Sequence, residues 1–162
     1  MTMVYAAAEP LKQAAALRNQ AIRLLARREQ SRCELQQKLH LRMLEKGWFV
    51  DLEHLLDELV RQGLQSDVRF AEVLVRSKAN NGYGVSRVLK WAHQYGLSKI
   101  LVQEQIEEQT HDWFENALRQ KRKYCGWNIA LTPQERAKQV RYLYQRGFSS
   151  EQIQYALQTP PD

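Results

Sequence analysis

Three glycine–hydrophobic pairs, Gly47-Trp48, Gly96-Leu97 and Gly147-Phe148, recur along the chain at intervals of 49 and 51 residues. Each is followed within a few residues by a side chain that caps helices: Asp51, Ser98 or Ser149. A glycine just past a helix tolerates the left-handed backbone that ends it, and an aspartate or serine oxygen accepts from the unpaired amides that open the next. The pairs therefore read as three helix stops with a helix start close behind each. Their spacing is in the range of helical-repeat arrays, in which a unit hides its apolar side partly against its neighbours. A single irregular helical domain with evenly spaced glycine stops is the competing reading. Gly and Pro together number eleven and cluster at a few points, as long helices require.

The stretch 66–97 shows the unit most fully. Ser66 or Asp67 caps a helix with Phe70, Val73 and Leu74 on one stripe and Arg69, Glu72 and Arg76 on another. Asn80, Asn81, Gly82, Tyr83 and Gly84 then turn the chain into a second helix that packs through Val85, Val88, Leu89, Ala92 and Tyr95. Ser98 opens a third, carrying Leu101, Val102 and Ile106.

On the N-terminal side, residues 1 to about 12 read as a frayed lead-in to a helix ending near Arg28 or Glu29. Ser31 and Glu34 form a capping-box pattern for a second helix with Leu35, Leu39 and Met43, and Asp51 caps a third with Leu52, Leu55, Leu56 and Leu59. On the C-terminal side a helix opens near His111 or Asp112, packs through Phe114, Ala117 and Leu118, and ends near Cys125 or Gly126. Thr132, Pro133 and Glu135 start the next, with Val140, Leu143 and Tyr144 as its packing face. Ser149 with Gln152 caps the last, which holds Ile153, Ala156 and Leu157 up to Pro160. Three units follow: 1–65 with its lead-in, 66–110 and 111–162.

Charge alternates on the same plan. Lys and Arg exceed Asp and Glu in 18–46, 66–97 and 113–147, whereas acidic residues prevail in 47–65, 98–112 and 148–162, leaving a formal net charge of +6 and a pI near 9.4. Stacked units would then offer one positive and one negative surface to an oriented partner. Alternatively, the acidic third helices pair with basic neighbours inside the protein. The basicity permits a polyanionic partner but is also common in proteins that need only solubility.

Reaction chemistry has no visible seat. Cys33 and Cys125 form no CxxC pair, which suggests neither a disulfide framework nor zinc and makes a reduced cytoplasmic protein the default. His40, His54, His93 and His111 share no metal-ligand spacing, so no metal or other cofactor is expected. GxSxG, HExxH and Walker-type loops are missing. Gly82-Tyr83-Gly84-Val85-Ser86-Arg87 begins like a dinucleotide fingerprint but has arginine at the last glycine position and no strand before it. It reads as a turn into a helix, where Arg87 and free amides could hold an anion or the amides could simply be capped. No apolar run approaches 18 residues, and MTMVYAAAEP lacks a charged start followed by a long apolar segment; neither export nor membrane insertion is expected. Among 15 aromatics, Tyr83, Trp91, Tyr95, Trp113, Tyr124 and Trp127 lie near basic residues, either to stack on bases or to anchor the core.

LLARREQSRCELQQKL at 24–39, DVRFAEVLVRSKANNGYGVSRVL at 67–89 and RAKQVRYLYQRGFSSEQIQYAL at 136–157 together resemble the RecX family of bacterial recombination regulators, in register over about 18–158. The combination of DxRFA, GYG and RGFSxExI is far more specific than any one of them. The resemblance implies an all-α, elongated and curved array of three tandem three-helix repeats. It also implies binding to RecA nucleoprotein filaments, suppression of strand exchange and ATP hydrolysis in repair, recombination and the SOS response, and some direct affinity for single- and double-stranded DNA. A monomer with no catalytic residue is expected. The chain departs from the family pattern at Gly63-Leu64-Gln65-Ser66-Asp67, where a leucine-aspartate pair commonly follows the glycine, and at Trp91-Ala92, where a glutamate-leucine pair often ends the helix, so filament contacts there do not transfer residue by residue. The residues expected to face a filament or DNA are Arg76, Lys78, Arg87, Lys90, Arg119, Lys121, Arg122 and Lys123, the last four from the densest basic run. A stand-alone DNA-binding protein of helix-turn-helix type is the rival function, and an enzyme the weaker one.

Overall fold

The computed structural model describes residues 2–161, and among them the regular structure is entirely helical: α1 (Thr2–Arg27), α2 (Arg32–Lys46), α3 (Leu52–Arg61), α4 (Asp67–Asn80), α5 (Val85–Gln94), α6 (Lys99–Glu108), α7 (Trp113–Cys125), α8 (Pro133–Gln145) and α9 (Ser150–Gln158). The predicted caps at Ser31, Asp51, Thr132 and Ser149, and Asp112 at the start of α7, each accept the backbone amide three residues on, and Thr132 and Ser149 form complete reciprocal boxes with Glu135 and Gln152. At α2 the box is half built. The Glu34 carboxylate turns to Arg28 and to Lys38, 2.9 Å away, instead of back to Ser31. Ser98 occupies the cap position of α6 without a side-chain hydrogen bond. α1 also runs through the expected lead-in and includes Pro10; a proline interior to a helix costs one hydrogen bond and a local distortion but does not oblige the helix to start after it.

The chain forms two compact units, one made of the chain up to Phe70 with Tyr95–Leu97, the other of Ala71–Gln94 with the chain from Ser98 onward. In the first, Leu17 and Ala21 of α1, Leu35 and Leu39 of α2, and Leu55, Leu56 and Leu59 of α3 make the core, with Met43 and Trp48 packed against it. Spacings of three and four residues put each set on one helix face, which is why the patterns of α2 and α3 are readable. The DxRFA element adds a long-range tie. Asp67 accepts the Arg32 amide at 2.8 Å and Gln65 Nε2 at 3.0 Å, so it satisfies the first amide of α2 from 35 residues away. Arg69 holds Glu29 at 2.8 Å and donates to the Gly63 carbonyl at 2.9 Å, while Gln65, 2% exposed, donates to the Gln30 carbonyl at 3.1 Å. The helix cap of α4 falls to Ser66, whose Oγ accepts the Arg69 amide. Because Asp67→Ala leaves a helix-end amide and the buried Gln65 donor short of an acceptor, it should cost about 1–3 kcal/mol in urea denaturation; Asp67→Asn, which keeps one acceptor oxygen, should cost less.

In the second unit α7 packs closely on α9, and Ala117, Leu118, Leu143, Phe148, Ile153, Ala156 and Leu157 form the core with Val140 and Tyr142 against it. Three predicted packing residues lie elsewhere. Val73 and Phe114 are each 41% exposed, and Tyr144 is 71% exposed. Phe70 and Leu74 of α4 and Val140 and Leu143 of α8 face inward as expected, and the third place in each stripe is taken by the other flank, Ala71, Val75 and Ala79 in α4 and Gln139 and Tyr142 in α8. No helix among the described residues is long and apolar enough to cross a membrane.

Candidate functional site

The GYG turn between α4 and α5 meets the turn between α8 and α9 backbone to backbone. Gly84 donates its amide to the Arg146 carbonyl at 2.8 Å, and Ser86 donates to the Gly147 carbonyl at 3.2 Å. A Cβ on Gly84 would lie 2.3 Å from the Gly147 oxygen, so only glycine permits this approach. The Gly84 and Ser86 amides are thus spent on carbonyls across the junction and the Arg87 amide on Gly84, so the lookalike motif serves as a turn into α5.

Cations gather on aromatic rings around the junction. The Arg146 guanidinium lies 3.9 Å from the Tyr83 ring centroid while its Nε donates to the Gly82 carbonyl at 3.1 Å and its Nη2 to the Asn81 carbonyl at 2.6 Å. Tyr83 meets Trp91 edge-on at 4.6 Å. Over the Trp91 ring sit Lys78 Nζ at 4.0 Å and Arg87 at 4.9 Å. Such contacts hold long flexible cations in place and lower the entropy cost of presenting them. Lys78 and Arg87, predicted as binding residues from charge alone, are thereby brought together; the organising residue, Arg146, was not singled out. Its signal was present in the RGF element, where an arginine one residue before an obligatory glycine invites the question of what it reaches.

The remaining candidates divide. Arg76 is exposed and pairs with Glu72 at 2.9 Å, one turn away, and Lys90 is exposed on α5. Arg119, Arg122 and Lys123 line one shallow depression of α7 with Glu115 and Trp127. Lys121 leaves the set. It is fully buried, and its Nζ donates to the carbonyls of Asn128 at 2.7 Å and Trp127 at 3.3 Å, so the segment after α7 folds back over it and no partner can reach it. Burial pushes its ammonium below the ordinary lysine range, with Arg122 adding to the shift and Cys125 opposing it. His111, whose Nε2 lies 2.9 Å from Gln109 Oε1, is likewise lowered by burial and adds little to the positive charge at neutral pH. Tyr142 donates to Gln120 Oε1 at 3.2 Å, and burial pushes its phenol up to about 12.

This arrangement of cations on aromatic rings suits holding anions by charge and stacking. Comparison with known proteins identifies the family. Residues 111–157 match the family model for the third three-helix domain of RecX. The chain is 39% identical over 145 residues to the regulatory protein RecX of Chromohalobacter salexigens, covering 90% of this chain and 93% of that one. It is 35% identical over 141 residues to that of Halorhodospira halophila, covering 87% and 86%. The crystal structure of RecX from Lactobacillus salivarius superposes with a TM-score of 0.74 at 18% identity, over 91% of this chain and 96% of the other, a likeness of fold.

Proposed function

The chain belongs to the RecX family of regulatory proteins, and from that premise we propose that it binds RecA nucleoprotein filaments and suppresses their ATP hydrolysis and strand exchange. The observation that carries this reading is the match to relatives over nearly their whole length, because a regulator's contact surface is spread over its fold instead of residing in one motif. The three-helix units 1–65, 66–110 and 111–162 are the contact-bearing segments, and the protein acts as a cytoplasmic monomer without chemistry of its own. Lys78, Arg87 and Lys90 of the central helices and Arg119, Arg122 and Lys123 of α7 meet acidic protein surface or DNA phosphates. By spanning successive protomers the protein holds the filament in a state that turns over slowly.

The test is a RecA ATPase and strand-exchange assay on single-stranded DNA with increasing protein. Both rates should fall to a plateau, and unchanged rates at saturation would defeat the reading. Where phosphates are contacted, log affinity should fall with log salt by roughly 0.7 to 0.9 per phosphate neutralised. Joint reversal of Lys90 and Arg119 to glutamate, both exposed, should weaken inhibition several-fold while leaving the urea midpoint in place.

A further inference from the structure

The depression at the C-terminal end of α7 combines features that charge alone does not explain. Trp127 is 55% exposed although it is among the largest apolar side chains in the protein. Its ring is not adrift. The Arg122 guanidinium lies 4.4 Å from the ring centroid, and the buried Lys121 ammonium holds the tryptophan's own carbonyl and the next one. Arg122 also donates to the Pro160 carbonyl at 3.3 Å, which ties the cation under the ring to the segment after α9. Arg119 and Lys123 flank the same depression, outnumbering with Arg122 the carboxylate of Glu115 that shares it. Tyr124, 60% exposed, stands beside Lys123 Nζ at 5.8 Å.

A duplex backbone needs only the cations, because its bases are stacked inside and present no free face to an indole. A tryptophan that anchors a protein contact sits in a core depleted of charge, whereas this one is bordered by three cations and a carboxylate. An unpaired base has a free face, and an indole backed by a guanidinium and bordered by cations at phosphate reach is what it stacks on. We propose that the end of α7 is a binding site for single-stranded DNA in which Trp127, backed by Arg122, stacks on one unpaired base while Arg119 and Lys123 hold the flanking phosphates. Lys121 is a positioning residue for this site: it never touches the strand, but it fixes the segment that carries the indole. The inference deepens the filament reading by assigning this patch to the DNA instead of the recombinase, and it rests on that reading only for its biological setting.

The experiment needs no recombinase. Binding of the full chain to a fluorescent oligothymidylate, whose bases stack weakly on one another, is compared with binding to a duplex of equal length. Trp127→Ala should weaken oligothymidylate binding roughly 5- to 150-fold. Trp127→Phe, which keeps a stacking face, should recover much of the loss. Duplex affinity should change less than about twofold and the salt slope for the single strand should stay the same, since no phosphate contact is removed. Undetectable binding of the single strand by the unaltered chain, an unchanged affinity in Trp127→Ala, or an equal loss on duplex would overturn the site. The two readings fail separately: inhibition of the recombinase with intact single-strand binding by Trp127→Ala sinks this site alone, whereas a Trp127-dependent affinity in a protein that leaves recombinase rates unchanged sinks the filament reading alone.

Discussion

Gly147→Ala is expected to lower the stability of the second unit by roughly 2–5 kcal/mol, against about 1–2 kcal/mol for Gly47→Ala. The two glycines occupy equivalent places in the sequence pattern, each just past a second helix and before an aromatic residue, and both have positive φ, 95° and 64°. The left-handed penalty for an L side chain is therefore common to them. They differ in what surrounds them. A Cβ at Gly47 meets nothing within 4 Å, whereas at Gly147 it would lie 2.5 Å from both the Arg87 nitrogen and its Cβ. Those are backbone and near-backbone atoms at the first turn of α5, anchored by the amide bonds from Gly84 and Ser86, and they cannot rotate away. Relief requires separating the two turns, which breaks those hydrogen bonds and dislodges Phe148, 2% exposed, from the core. Urea denaturation of the two variants measures the difference; equal losses would mean that the turns part easily and that the junction is not a fixed element of the fold. Since typical domains hold only about 5–15 kcal/mol in total, the larger loss would leave part of the Gly147 variant unfolded at growth temperature, and filament inhibition should fall in proportion.

How much of this was legible depends on how far apart the partners lie in sequence. Caps at Ser31, Asp51, Thr132 and Ser149 satisfy amides three residues away, so local pattern sufficed to find them. The leucine stripes of α2 and α3 were legible for the same reason. Asp67 serves α2 across 35 residues, and Arg146 serves the α4–α5 turn across 64 and 65; no window of local sequence contains both ends of such a contact. Lys121 was misplaced because a basic run is ordinarily a solvated face, and only the return of the 127–128 carbonyls over α7 makes a dry seat for one of its four charges. Tyr144 is expected inward and lies outward because the stripe can widen on either side of Leu143, and it widens toward Tyr142, whose hydroxyl donates to Gln120. Charge counting finds the cations around the candidate site, and Tyr83 and Trp91 stand out as aromatics near them, but which cation lies over which ring is set by contacts between separate helices and turns.

Arg146→Met should cost about 2–4 kcal/mol, from two charge-assisted hydrogen bonds and a stacked cation, partly offset by the exposure of the Asn81 end. The carbonyls it serves, Asn81 and Gly82, follow directly on the last residue of α4, where the helix dipole is negative and acceptors lack partners within the helix. Arginine reaches both from one planar group while keeping a face for Tyr83; lysine, with a point charge and no face, should restore less than half of the loss. The measurement belongs between pH 7 and 9. Folding favours the neutral Tyr142 phenol, whose pKa is raised from its ordinary value near 10, so the stability it contributes is complete below about 10 and is lost as pH rises toward 12. Within that window the arginine is the variable. Beyond the midpoint shift, amide exchange at Gly84 and Ser86 should accelerate in Arg146→Met, because the turn that accepts their hydrogen bonds is no longer pinned from the other side. Tyr83 would lose its upper cation, Trp91 its edge-on neighbour's fixed position, and Lys78 and Arg87 the platform that orders them. If those two cations act on the filament, inhibition should weaken further in this variant than its folded fraction explains; inhibition that tracks the folded fraction alone would remove Lys78 and Arg87 from the contact set and leave Arg146 a purely structural residue.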